Sequence, residues 1–224
     1  MGEAIGQVLS FGAGVALSPI PIIAVTLMLV TPRARANGPA FVVGWLIGLA
    51  VVGAIVMLVA DPAGANDDGD PATWVGILEL ALGAAAILLG LKQWKSRPKP
   101  GETAETPKWM GAVDDFTAPK ALGMGALLSG LNPKNLLLAV AAGAAIAATG
   151  IPGGEQAISY AVFALIATIG VAAPVVIYFA LGDRAGPILE NLKDWMAHHN
   201  AAIMTVLMLV IGMKLVGDAI VSLS

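Results

Sequence analysis

Apolar residues gather into six long stretches, at roughly 4–30, 39–60, 73–91, 121–149, 157–181 and 201–221, separated by shorter polar connections. Each is near the ~20 residues needed to cross ~30 Å of hydrocarbon, so the pattern predicts six spanning α-helices. Two of the stretches carry a helix-breaking element. Leu17-Ser18-Pro19-Ile20-Pro21 interrupts the first, and Leu131-Asn132-Pro133-Lys134-Asn135 interrupts the fourth. Both follow small, glycine-rich runs, Phe11-Gly12-Ala13-Gly14 and Gly123-Met124-Gly125-Ala126. Each break begins about 12–14 residues into its stretch, roughly 18–21 Å at ~1.5 Å per residue.

The polar run 96–119 contains Pro98, Pro100, Pro107 and Pro119 and reads as a linker between two halves of three helices, 1–110 and 111–224. An odd number of spans per half means that related halves must sit upside down relative to one another. The fold expected is therefore an all-α membrane protein with six transmembrane helices as two inverted three-helix repeats, helices one and four being broken. Transporters of this plan hold their site near the midplane, at the discontinuous helices. Entering from opposite sides, both breaks reach that depth. A lone proline reads as a kink that neighbouring helices accommodate. Two matched breaks, one with two prolines and one with Asn and Lys beside its Pro, favour a functional irregularity.

Charge orients the spans. Ten of the twelve basic residues lie in the first, third and fifth connections: Arg33, Arg35, Lys92, Lys95, Arg97, Lys99, Lys108, Lys120, Arg184 and Lys193. Basic residues accumulate on the cytoplasmic side, so both termini are expected outside. The connection 61–72 carries Asp61, Asp67, Asp68 and Asp70 among turn formers. It reads as a solvated loop rather than a cation trap. Hydrophobic residues make up 58% of the chain and charged residues 12%, about half the ~25% of soluble domains. That leaves no stretch for a separate water-soluble domain. Cysteine is absent, which excludes disulfides and thiolate metal sites. Glu3 and the lack of a basic leading region argue against a cleaved signal peptide, so the first stretch is expected to span.

The remaining two basic residues, Lys134 and Lys214, fall inside apolar stretches, where a charge is expensive and is a functional hypothesis by default. At the second break the proline frees backbone groups, Asn132 adds an amide and Lys134 adds a positive charge. That set suits a carboxylate, phosphate or sulfate, or a proton relay; a lysine paired with a carboxylate for stability alone is the plainer alternative. The candidate binding residues are Ser18, Pro19, Pro21, Asn132, Pro133, Lys134 and Asn135. Lys214 and Asp218 share a face at i, i+4, and Glu79 is expected at a similar depth, forming either an ion-coupling cluster or a structural ion pair. The segment 187–199 places Ile188, Leu189, Leu192, Trp195 and Met196 on one face and reads as a short amphipathic helix in the cytoplasmic interface. His198 and His199 lack a ligand-spaced carboxylate, so no metal is expected. Gly44 and Gly48 form a small-xxx-small pair for close helix packing.

The two breaks also carry a resemblance. Ser18-Pro19-Ile20-Pro21 and Asn132-Pro133-Lys134 resemble the paired motifs of the LysE/RhtB exporter superfamily. The run Trp109-Met110-Gly111-Ala112-Val113-Asp114-Asp115-Phe116, continuing through Ala121-Leu122-Gly123-Met124-Gly125-Ala126-Leu127-Leu128-Ser129 to Asn132-Pro133-Lys134-Asn135-Leu136-Leu137, is more specific, as is Gly212-Met213-Lys214-Leu215-Val216-Gly217-Asp218. Together they look like the GAP branch, the glycopeptidolipid- and sulfolipid-addressing proteins of bacteria with lipid-rich envelopes. The resemblance covers essentially the whole chain. It implies a multi-pass protein of the bacterial inner membrane that exports envelope lipids or their precursors. Amino-acid exporters typically have Gly between the two prolines of helix one; Ile20 stands there in this chain, against a narrow amino-acid site.

The alternatives are a proton-coupled exporter of amino acids or other small metabolites, and an accessory addressing subunit of a larger lipid-export machine. An intramembrane enzyme is disfavoured, since no nucleophile–base constellation stands out. Expected partners are membrane lipids, the lipid or small-molecule substrate, and a second copy or a larger export machinery. No cofactor and no nucleic acid are expected, and no nucleotide-binding motif is present.

Overall fold

The computed structural model describes residues 1–60, 73–95, 97, 113 and 115–223. The expected acidic connection 61–72 and the stretch 98–112 of the linker lie outside the described residues. Every element among the described residues is helical: α1 (Gly2–Ala16), α2 (Pro19–Leu29), α3 (Ala34–Ala60), α4 (Thr73–Lys95), α5 (Ala118–Gly130), α6 (Pro133–Ala148), α7 (Gly153–Leu181), a 3₁₀ turn (Gly182–Arg184) and α8 (Ala185–Leu223).

The first apolar stretch is the pair α1 and α2, bent by 53°, and the fourth is α5 and α6, bent by 62°. Three stretches are long and apolar enough to cross a membrane, Ala34–Val59, Val75–Lys95 and Gly153–Leu223, or five if each bent pair counts as one. This is the helix set of a multi-pass membrane protein. Within the 71-residue stretch, Gly182 at φ 54° ends α7 before α8 begins, a conformation glycine adopts without a Cβ penalty. Exposed residues such as Leu58, Leu165 and Ile169 coat the outside, as hydrocarbon surroundings require.

Packing is led by α4 along α8 and α3 along α5, followed by α1 on α7 and α6. Lipid tails are as apolar as leucine, so close backbone approach between small residues drives such contacts. A Cβ at Gly44 would fall into the Leu122 carbonyl, one at Gly48 into Ser129 and Ala126, and one at Gly125 into the Phe41 carbonyl. The expected small-residue pair therefore sits at a true crossing, with a partner glycine facing it. Gly170 meets the Ala16 carbonyl in the same way where α7 crosses α1.

One expectation needs correction. The segment 187–199 is not a separate interfacial helix but the start of the 39-residue α8. No proline or glycine lies between Pro187 and Gly212, so nothing stops the helical hydrogen bonds at Asn200. Leu189 and Met196 pack into the core, while Ile188 and Trp195 on the same apolar stripe are exposed. At ~1.5 Å per residue α8 is roughly 58 Å long, about twice the hydrocarbon thickness.

Candidate functional site

The two breaks have the same local cause. A proline disfavours helical geometry in the residue before it, and Ser18 (φ −89°, ψ 105°) and Asn132 (φ −65°, ψ 121°) are both extended. Each then acts as N-cap to a helix beginning with proline, Pro19 for α2 and Pro133 for α6, the position where a missing N–H costs nothing. Set one on the other, Leu17-Ser18-Pro19-Ile20-Pro21 and Leu131-Asn132-Pro133-Lys134-Asn135 correspond residue by residue.

Their caps differ, and the difference builds the site. The Asn132 Oδ1 accepts the Lys134 backbone N–H at 3.1 Å. The Ser18 hydroxyl caps nothing. Pro19 and Pro21 carry no N–H, and the Ile22 N–H already donates to the Ser18 carbonyl at 3.3 Å. Ile20 thus supplies the only uncommitted donor of that first turn, and the double proline releases the Ser18 hydroxyl for other work.

That hydroxyl joins the two breaks. The Lys134 Nζ donates to Ser18 Oγ at 2.8 Å and lies 3.5 Å from the Leu17 carbonyl. Ser18 Oγ in turn donates to Asn135 Oδ1 at 2.7 Å, and Asn135 Nδ2 donates to the Leu128 carbonyl at 2.9 Å. Ser18, Lys134 and Asn135 are 2%, 3% and 0% exposed, whereas the break residues Leu17 and Leu131 are 49% and 68% exposed. The polar groups face inward and the leucines face out. Among the described residues no carboxylate lies within ion-pair distance of Lys134. Two helix N-termini and two C-termini meet here, and their opposite half-charges offset one another. What remains is one buried ammonium held by neutral oxygens, an arrangement suited to an anionic group. Of the expected residues, Ser18, Lys134 and Asn135 come into contact, Asn132 caps, and Pro19, Pro21 and Pro133 shape the backbone.

The second group of expected residues gathers where α4 meets α8. Lys214 and Asp218 form an i, i+4 ion pair, and the ammonium sits 4.7 Å from the centre of the Phe11 ring. Glu79 is buried and accepts from the Ser222 hydroxyl at 3.3 Å. Lys214 and Asp218 both act on its carboxyl electrostatically, the first by attraction and the second by repulsion, but the Lys214 ammonium pairs with Asp218 and forms no ion pair with Glu79 within 4 Å. His198 meets His199 edge-on while His199 stacks on Trp195, and no group of metal-ligating side chains is found among the described residues.

Sequence reasoning missed the Leu17 and Leu128 carbonyls, Phe11 and Ser222. The carbonyls were signalled by the helix ends that proline imposes; Phe11 and Ser222 come only from tertiary packing.

A family model described as Sap, sulfolipid-1-addressing protein, matches residues 8–221. No curated protein and no solved structure matches the chain.

Proposed function

The chain belongs to the sulfolipid-1-addressing protein family, and from that membership we propose that it is a transporter of anionic envelope lipids or their precursors. In this reading it has six spans in the bacterial inner membrane, with α1–α2 and α5–α6 as broken spans and α7 and α8 as separate ones. The lipid headgroup binds where the two breaks meet, with Lys134 as its counter-charge, Ser18 and Asn135 as polar partners, and Asn132 holding the break in shape. The observation that carries this is the buried ammonium of Lys134, shared between two helix breaks and paired with no carboxylate among the described residues.

Two further observations support it. Exchanging α1, α2, α3 and α4 for α5, α6, α7 and α8 turns several of the main packing pairs into one another, although the α1–α6 contact has only a slight α2–α5 counterpart. The pair α3–α5 becomes α7–α1, α2–α8 becomes α6–α4, α3–α6 becomes α7–α2, and α4–α8 maps onto itself. These exchanges support two related halves of the kind that the resemblance to the LysE/RhtB superfamily implies. The exposure of Leu17 and Leu131 beside the buried polar groups supports a break that borders lipid. A lipid keeps its tails in the bilayer there, whereas an amino acid needs a closed polar pocket.

The experiment is transport in proteoliposomes holding a fluorescent anionic lipid, with a zwitterionic lipid of equal tails for comparison. The protein should speed inversion of the anionic lipid more than the zwitterionic one, and Lys134→Met should remove that preference. Equal rates for both lipids in wild type and variant would overturn the proposal.

A further inference from the structure

Among the described residues, four buried polar atoms have no hydrogen-bond partner: Thr26 Oγ1, Asn37 Oδ1, Trp45 Nε1 and Asn200 Oδ1. Such atoms are costly and each calls for an explanation. Thr26, Asn37 and Trp45 are essentially fully buried. All four lie on one side of the breaks, the side of Arg33 and Arg35. For α8 the level is set by Ile211, which abuts Gly14 just before the first break, so Asn200 falls on the Arg184 side.

The three on α2 and α3 are evenly placed. Leu29 packs beside Gly38, which aligns these antiparallel helices. Trp45 is then level with Ile22, Thr26 with Phe41, and Asn37 with the end of α2. From Asn37 to Thr26, to Trp45, to Ser18 the steps are about four residues, or ~6 Å each. Asn37 spends its amide N–H on the Phe116 carbonyl at 2.9 Å and leaves its oxygen free.

Two of these groups have apolar counterparts in the opposite half. The matched breaks make Val140 the counterpart of Thr26. Gly48 abuts Ala126 as Ile166 abuts Gly12, and Ala126 is the counterpart of Gly12. Ile166 therefore corresponds to Gly48, and Phe163 to Trp45. Thr26 and Trp45 are thus replaced by apolar residues across the repeat, whereas Asn37 falls opposite Glu155.

We propose that the half between the breaks and Arg33 opens as a hydrated route along which a polar headgroup reaches Lys134, with Asn37, Thr26 and Trp45 as successive hydrogen-bonding stations. The groups are unpartnered in the closed conformation because their partners are water and headgroup in the open one. This rests on the transport reading above and adds which half admits the headgroup.

The chain has no cysteine, so single replacements report cleanly. Thr26→Cys and Val140→Cys are treated with a membrane-impermeant thiol reagent in vesicles of both orientations, with total thiol counted after denaturation. Thr26→Cys should react from the Arg33 side an order of magnitude faster than Val140→Cys from either side. Protection of Thr26→Cys in both orientations, or equal reaction at Val140→Cys, overturns the route. Trp45→Phe gives a second reading, since it removes the N–H and keeps the ring. It should leave the melting temperature unchanged or higher and slow anionic-lipid transport by about tenfold, the worth of one hydrogen bond; wild-type transport would remove Trp45 from the route. A protected Thr26→Cys with transport lost in Lys134→Met would sink the route and spare the central site, and the reverse pair of results would do the opposite.

Discussion

The Lys134 ammonium and the Ser18 hydroxyl lie 2.8 Å apart, although 116 residues separate them in the chain. The cation of one break is thus held by the other. A hydrogen bond to a charged group contributes ~1.5–3 kcal/mol, and here the hydroxyl also donates to Asn135. Ser18→Ala should therefore lower stability in detergent by about 2–3 kcal/mol. In a Lys134→Met background the same substitution should cost much less, because the charged partner is gone. Thermal or denaturant unfolding of the four proteins gives the coupling energy, expected at ~1–3 kcal/mol for groups in direct contact. Additive effects would show that the two side chains do not meet.

The glycine crossings make a separate prediction. A methyl at Gly44 has no room beside the Leu122 carbonyl, and one at Gly125 none beside Phe41. Overpacking of this kind costs ~1–3 kcal/mol and here must push two backbones apart. Gly123, two residues away on α5, has nothing within 4 Å of its added Cβ. Gly44→Ala and Gly125→Ala should lower the melting temperature, whereas Gly123→Ala should hold or raise it through helix propensity, by up to ~1 kcal/mol. Similar losses at all three would move the α3–α5 contact to another face.

Where the sequence was readable, a local rule decided the outcome. Proline at the first position of a helix fixes both breaks, and the small-residue spacing at Gly44 and Gly48 marks the α3–α5 crossing. The end of a helix inside a polar segment is not set locally. His198, His199 and Asn200 are polar but not helix-breaking, so α8 runs through them to Leu223. Ser18 was legible as a polar residue of the first break, but its bond to Lys134 follows only after counting the donors that Pro19 and Pro21 remove. Glu79 was legible as a buried charge, but its contact with Ser222 spans 143 residues and has no periodic signal.

The orientation of the chain rests on the segregation of basic residues into three connections. The proposed topology, six spans with both termini outside, is tested by cysteines at positions 66 and 99, in the connections before and after α4. In intact cells an impermeant thiol reagent should modify Asn66→Cys and spare Lys99→Cys, and permeabilisation should expose the second. Modification of Lys99→Cys in intact cells would invert the topology and with it the direction of transport.

The last prediction separates a working lysine from a structural one. An unpaired ammonium at this depth costs at least ~2.5–3.5 kcal/mol. If Lys134 existed to neutralise Glu79, then Lys134→Met would strand that carboxylate, and adding Glu79→Gln would restore stability. The geometry argues otherwise. Lys134 contacts the neutral oxygens of Ser18 and Leu17, while Glu79 takes the Ser222 hydroxyl on α8. Met keeps much of the apolar stem and removes the charge, leaving Ser18 its bond to Asn135. Lys134→Met should therefore fold with a melting temperature at or above that of wild type. The effects of Lys134→Met and Glu79→Gln on stability should add within about 0.5 kcal/mol, as for residues that share no partner. Expression, melting temperature and anionic-lipid transport of the two single variants and the double one decide the matter. Rescue of the first by the second would make the pair structural, whereas a stable Lys134→Met protein that no longer prefers the anionic lipid would place the ammonium in the transport step itself.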